Sequence, residues 1–201
     1  MKKIPTLFKR VFDGNRIADI LPEITGGCEE AFLHGEATLK WDGSCCAVIN
    51  GELYKRYDAK NGKPVPKDAI KCQEEPDPIT GHFPCWVKCN RSNPADKWFW
   101  NAYYETMKQI KKFFPNLTSH NIIFADGTYE AIGEHFNGNP YKVVFDCLEP
   151  HGKDIVDVER TFEGVKKFLA ENKIEGIVFW LEGEPVCKIK RTDFGYEWNG
   201  R

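Results

Sequence analysis

Asn50-Gly51 stands between two short runs, Cys45-Ile49 and Glu52-Tyr57, and no other feature constrains the fold as tightly. A two-residue connection of this kind needs positive φ at both positions, which Asn and Gly tolerate, so the segment predicts an antiparallel hairpin. The wider stretch from Glu36 to Ala59 reads as strands joined by tight turns, which places Lys40 to Gly43 between two strands. A second hairpin is predicted from Glu175-Leu181 through Glu182-Gly183-Glu184 to Val186-Arg191. Strand-like segments also fall at Asn121-Phe124, Thr128-Ile132 and Lys142-Leu148.

Two helices complete the reading. Asn93-Pro94-Ala95-Asp96 combines a capping side chain, a proline at the first helical position and an acid in the first turn. Phe99, Tyr103, Met107, Ile110 and Phe114 then recur at helical spacing until Pro115 ends the run. The aromatics from Trp98 to Trp100 read as core rather than as a base-stacking platform. The second helix is predicted over Val158 to Glu171, with Phe162, Val165 and Leu169 on one face. Between about 61 and 94 the chain is rich in Pro, Gly, Asp and Asn but carries Phe83 and Trp86, and it reads as an ordered loop excursion without a regular element.

With 201 residues and 41% hydrophobic content, a single domain spanning 1–201 with one sizeable core is expected. No apolar run approaches the roughly 18 residues of a membrane span. Met1-Lys2-Lys3-Ile4-Pro5 leads into Lys9-Arg10 and Asp13 rather than an apolar core, so a soluble cytoplasmic protein is expected, with no membrane partner. The net charge of -2 neither marks nor excludes a nucleic-acid binder, since phosphate contacts need only a local basic stripe. Lys108, Lys111 and Lys112, and Lys166 and Lys167, read as solvated helix faces. The eight cysteines are scattered and read as reduced thiols. Cys72, His82, Cys85 and Cys89 form a local cluster of soft ligands, but their spacing fits no recurrent zinc pattern.

Chemistry concentrates in four places: Lys40-Trp41-Asp42-Gly43; Thr128-Tyr129-Glu130 with Asn137-Gly138-Asn139-Pro140-Tyr141; Glu175-Gly176-Ile177-Val178; and Lys188-Ile189-Lys190. In that order they resemble the successive motifs of the covalent nucleotidyltransferases, the superfamily of ATP-dependent polynucleotide ligases and mRNA capping enzymes. Within it the chain is most similar to the 5′-to-3′ RNA ligase family found in vertebrates. That similarity also rests on Gly43-Ser44-Cys45-Cys46, Gly81-His82-Phe83-Pro84-Cys85-Trp86-Val87, Ile132-Gly133, Lys173-Ile174 and Gly195, and it runs from about Ala37 to Gly195.

The resemblance implies an α+β ligase-type nucleotidyltransferase domain, with largely antiparallel sheets flanked by helices and a nucleotide cleft between the sheets; with ten residues beyond Arg191, no OB-fold domain is expected. It implies ATP and Mg²⁺ (or Mn²⁺) as cofactors, RNA with 5′-phosphate and 3′-hydroxyl ends as partner, and a monomer. Lys40 becomes the nucleophile that takes AMP, Lys188 and Lys190 the α-phosphate ligands, and Glu175 the metal-supporting acid. Glu130 contacts the ribose or organises metal, and Asp42 and Gly43 help place metal or sugar. Arg56 contacts the nucleotide or the incoming 5′-phosphate, and Phe145 stacks on adenine.

Elementary chemistry supports these roles. A free lysine, with pKa about 10.4, is neutral in only about one molecule in two thousand at pH 7, so a nucleophilic amine needs help. Lys188 and Lys190 are one residue apart on a predicted strand, which puts both ammonium groups on one face and turns Ile189 to the other. Cations so placed would crowd Lys40 and neutralise phosphate during transfer. Carboxylates such as Glu175, Glu130 and Asp42 are the hard oxygen donors that Mg²⁺ prefers, and the planar fork of Arg56 matches phosphate. Three rivals share parts of this pattern: a DNA ligase, a GTP-dependent capping guanylyltransferase using the same lysine, and a non-catalytic nucleotide- or RNA-binding protein on the same scaffold.

Overall fold

Asn50 and Gly51 take φ values of 51° and 74°, and Glu182 and Gly183 take 52° and 81°, so both hairpins turn as their residues dictate. The computed structural model describes residues 1–14, 16–60, 63–78, 80–116 and 124–200. In chain order the elements are β1 (Phe8–Asp13), β2 (Arg16–Ile24), α1 (Glu29–His34), β3 (Glu36–Lys40), β4 (Ser44–Ile49), β5 (Glu52–Ala59), β6 (Ile70–Lys71) and β7 (Phe83–Lys88). There follow α2 (Lys97–Phe113), β8 (Gly127–Ile132), β9 (Cys147–Pro150), α3 (Phe162–Glu171), β10 (Gly176–Leu181) and β11 (Glu184–Lys190). The fold is mixed, with antiparallel sheets and few helices. The chain forms two compact units, a terminal one (Ile4–Trp41 with His151–Gly200) and a central one (Asp42–Pro150 with Met1–Lys3). The chain leaves the first for the second between Trp41 and Asp42.

In the terminal unit, β11, β10 and β3 form a three-stranded sheet beside the β1–β2 hairpin. Both edges of the sheet are covered by extended chain. Residues 5–7 run along β11, with Leu7 N–H donating to Lys188 O at 2.7 Å and Lys188 N–H to Pro5 O at 3.1 Å. Residues 154–156 run along β3, with Leu39 N–H donating to Asp154 O at 2.8 Å and Val156 N–H to Ala37 O at 2.9 Å. Period-two alternation then sends Ala37, Ile177, Phe179, Cys187 and Ile189 into one core with Phe8, Phe32, Val165 and Leu169. Burying each large apolar side chain contributes about 1.5–3 kcal/mol, so this face fixes the strand register. Helix α3 starts at Phe162 rather than Val158 because the Thr161 hydroxyl accepts from Gly164 N–H at 2.9 Å and caps it there.

In the central unit the strand order is β6-β7-β5-β4-β8-β9. Helix α2 packs Phe99, Ala102, Tyr103 and Met107 against Cys46, Val48, Leu53, Tyr129 and Leu148. The Asn93 side chain, accepting from Ala95 N–H at 3.0 Å, caps a short 3-10 turn, Pro94–Asp96, and α2 itself begins after it at Lys97. Trp98, Phe99 and Trp100 are partly buried against this core, as expected. Two expectations need correction. The stretch from 61 to 94 does contain regular structure: β7 pairs with β5 and with β6, although Pro84 and the surrounding Pro and Gly conceal its alternation. The strand expected over Lys142–Leu148 begins only at Cys147. Upstream, the Asn139 side chain engages both backbone groups of Val143, at 2.9 and 3.0 Å, and so withdraws them from any ladder. Of Asn121–Phe124, residues 121–123 lie outside those described. Among the described residues no helix is long and apolar enough to cross a membrane.

Candidate active site

Gly176 is the cross-strand partner of Lys40 on one side and of Lys190 on the other. Directly opposed residues project to the same face, so the two lysines flank a position that has no side chain. A Cβ at Gly176 would stand 2.2 Å from Ile189 O and 3.0 Å from Lys190 Cα, so the middle of this row stays bare. Lys188 lies in the next row with Val178 and Thr38, on the same face as Lys190, and Ile189 between them is fully buried in the core. The predicted alternation is therefore present.

The row is tied together by Glu175, one residue before β10 and 4% exposed. Its Oε2 accepts from Lys40 Nζ at 2.5 Å and its Oε1 from Lys190 Nζ at 2.6 Å. Each oxygen thus meets one ammonium, and the three groups carry one net positive charge on a face where a phosphate could replace the carboxylate as partner. Glu175 is itself positioned by its backbone: Arg191 N–H donates to Glu175 O at 2.8 Å, while the Arg191 guanidinium reaches the end of α3 at Leu169 O and at Asn172 O, the latter at 2.9 Å. Lys40 and Lys190 are brought together through this shared acid, a link that strand periodicity alone does not reveal.

The central unit holds the second half of the first motif. Asp42 is 7% exposed, its N–H donates to the Tyr141 hydroxyl at 2.7 Å, and its Oδ1 accepts from Asn137 Nδ2 at 2.8 Å. The same Asn137 amide donates to Gly43 O at 2.7 Å, and Gly43 N–H donates to Glu130 Oε1 at 3.1 Å. Gly43 is required by close approach, since a Cβ there would lie 2.1 Å from Ala131 O. Asn137 and Tyr141 are thus clamps for the Asp42-Gly43 turn. Their motif was visible in the sequence, but their role was not.

Glu130 lies in one row of the sheet with Cys45 on one side and Glu149 on the other. Glu149 is a carboxylate the sequence reading passed over; its signal was the alternation Cys147, Glu149 on a strand. Burial, then the charge of Glu130, pushes the Cys45 thiol up to about 12, so it stays protonated at neutral pH and offers no thiolate. Arg56, opposite Trp86, donates from Nε to Asp58 Oδ1 at 2.8 Å and from Nη1 to Met1 O at 2.9 Å. Phe145 stands outside β9 and is 38% exposed.

The acids suited to a hard cation are Glu175 in the terminal unit and Asp42, Glu130 and Glu149 in the central one. The soft cluster does not gather. Cys85 donates to Tyr57 O at 3.3 Å, whereas Cys89 packs into the core under α2 with its thiol pushed up by burial to about 12. Among the described residues Cys72, His82, Cys85 and Cys89 do not share a metal-sized space.

No protein-family model matches the sequence. The chain is similar to the curated RNA ligase 1 proteins of Pongo abelii and Rattus norvegicus, each 28% identical over 167 residues covering 72% of this chain and 47% of the relative. It is also similar to RNA ligase 1 of Danio rerio, 27% identical over a 221-residue alignment covering 81% of this chain and 68% of the relative. The chain spans about half the length of the first two relatives. It is a distant relative of the RNA ligase 1 proteins.

Proposed function

We propose that this chain is an ATP-dependent RNA ligase whose Lys40 carries AMP between ATP and an RNA end. The observation that carries the reading is the pairing of Lys40 and Lys190 on the two oxygens of one buried carboxylate, Glu175. In the first step the Lys40 amine attacks the α-phosphorus of ATP, a phosphorus–nitrogen bond forms, and the bond to the leaving pyrophosphate breaks. The proton that Lys40 must shed has an acceptor already in contact with it, Glu175. Lys190 and Lys188 share one face of the sheet with Lys40 and offset charge on the transferring phosphate.

In the second step a 5′-phosphate oxygen of RNA attacks the same phosphorus and displaces the Lys40 nitrogen. In the third an RNA 3′-hydroxyl attacks the activated 5′-phosphate and expels AMP. Glu175, Asp42 and Glu130 each offer the carboxylate oxygens that Mg²⁺ or Mn²⁺ prefers and are the proposed metal-supporting acids; the ion would supply charge neutralisation on polyphosphate. The roles proposed for Asp42, Gly43, Glu130, Arg56 and Phe145, towards ribose, phosphate and adenine, follow the resemblance to nucleotidyltransferases.

The reading is tested with a 5′-phosphorylated RNA bearing a 3′-hydroxyl, a nicked DNA duplex, and ATP or GTP as nucleotide. Wild type is expected to join the RNA with ATP. Lys40→Ala is expected to fail with ATP yet to join RNA that already carries a 5′-adenylate. Joining by Lys40→Ala with ATP at the wild-type rate would refute the mechanism. Charging of the protein by GTP alone would move it to the capping class, and a preference for nicked DNA would replace RNA as substrate.

A further inference from the structure

Helix α2 presents a second, independent feature along its outer side, where Trp100 packs partly against the core of the central unit and Tyr104 is exposed. Lys97, Trp100, Tyr104, Lys108 and Lys111 follow one another at three- and four-residue intervals, which on an α-helix draws a single stripe about 21 Å long. Phe99, Ala102, Tyr103 and Met107 pack on the core from another side of the same helix, with Trp100 at the boundary between the two. Along the stripe Lys97, Tyr104, Lys108 and Lys111 are exposed and Trp100 is half-buried. Arg91, from the turn before the helix, lays its guanidinium over both rings, 4.6 Å from the Trp100 centroid and 5.7 Å from that of Tyr104. The two rings are stacked, 5.9 Å apart at 27°. A groove of roughly 400 Å³ opens here, lined by Arg91, Ser92, Asn93, Pro94, Lys97, Trp100 and Tyr104, with no acid among them.

From this arrangement we infer that the outer stripe of α2, with Arg91, is a track for single-stranded RNA. A planar cation on stacked aromatic rings, flanked by lysines at regular intervals, offers what a flexible nucleic acid presents: π-faces to stack and phosphates to neutralise. Charge complementarity selects the occupant. Arg91 and Lys97 face the groove, Lys111 extends the positive stripe, and Lys108 shares its charge with Glu105 on the same helix. The contacts are to backbone and ring faces, so the track reads no sequence. An acidic peptide would use the lysines but would leave the stacked ring faces without a partner. This inference rests on the reading of the chain as an RNA ligase, but it concerns the RNA and not the nucleotide.

The test measures binding of a short, fluorescently labelled, 5′-phosphorylated single-stranded RNA by anisotropy across a salt series, alongside ATP-dependent adenylylation of the same proteins without RNA. Arg91→Ala and Tyr104→Ala are expected to weaken RNA binding by about tenfold. Lys97→Ala with Lys111→Ala should weaken it and make the slope of log affinity against log salt shallower by about 1.4. All three proteins should keep the wild-type melting temperature and wild-type adenylylation. Unchanged RNA affinity and salt slope in these folded variants would overturn the inference. So would a wild type that binds polyglutamate at this stripe and not RNA, since the surface would then serve a protein partner. Loss of adenylylation in the wild type itself would instead count against the ligase reading and leave the RNA measurement to stand by itself.

Discussion

Glu175 and Asp42 are both nearly inaccessible carboxylates, 4% and 7% exposed, yet the groups described around them differ. Glu175 is gripped by two lysine ammonium groups whose side chains are 21% and 35% exposed and can swing towards water. Asp42 sits in a turn fixed by the Asn137 amide and the Tyr141 hydroxyl, with Gly43 pressed against the Ala131 carbonyl. The first arrangement is built from charges that can exchange partners when an anion arrives. The second includes directional hydrogen bonds with neutral groups, an amide and a hydroxyl. In the reading proposed here the lysine row does the chemistry and the turn supplies fixed geometry.

The strongest blow to that contrast is Glu175→Gln. It leaves two cations facing a neutral amide, and adenylylation is expected to slow by about a hundredfold or more. Stability should fall by about 2 kcal/mol in urea unfolding, less than for a fully enclosed pair because both lysines can reach water. Adding Lys190→Met should recover the stability but not the rate. A Glu175→Gln protein that adenylylates at the wild-type rate would reduce the row to an ordinary ion pair.

Gly43→Ala attacks the rigid side. With a Cβ aimed 2.1 Å from a backbone oxygen, it should cost about 2–3 kcal/mol by thermal unfolding. Gly26→Ala, where a Cβ meets nothing within 4 Å, should be near neutral. Asn137→Gly accommodates the positive φ of 46° and removes only the amide, so about 1–2 kcal/mol is expected in the same assay. Equal melting temperatures for Asn137→Gly and wild type would mean that the clamp contributes nothing.

Asp77 offers an intermediate case and the smallest effect. The Thr80 hydroxyl first, then the Thr80 amide and Lys3, outweigh burial and hold its carboxyl at about 2, below the usual carboxylate range. Because the folded value is the lower one, its stabilisation is complete above about pH 4 and disappears as pH falls through about 2. Asp77→Asn should therefore lower stability by less than about 1 kcal/mol at neutral pH, and the gap should close in acid. A gap that widened in acid would contradict that assignment.

The features legible in the sequence were those written in a few adjacent residues. Asn50-Gly51 and the 182–183 turn declared their hairpins, Asn93-Pro94 declared the capped turn that leads into α2, and Lys188-Ile189-Lys190 declared its face by alternation. What escaped depends on pairing across long separations. That Glu175 bridges Lys40 and Lys190 follows from β10 lying between β3 and β11, a register set by core residues some 140 positions apart in the chain, such as Ala37 and Phe179. The strap of residues 5–7 along β11 is too short to show a pattern of its own, although Leu7 is fully buried in the core. Strand β7 was hidden by Pro84, and the role of Asn137 by the fact that an amide clamp has no periodicity.

The central claim is that the Lys40 amine becomes covalently bonded to AMP, and intact-mass spectrometry after incubation with ATP and magnesium tests it most directly. Wild type is expected to gain the mass of one AMP, in a bond that survives alkali and is cleaved by acid, while Lys40→Ala gains nothing. An unmodified wild type, or a Lys40→Ala protein carrying the same adduct, would contradict the account.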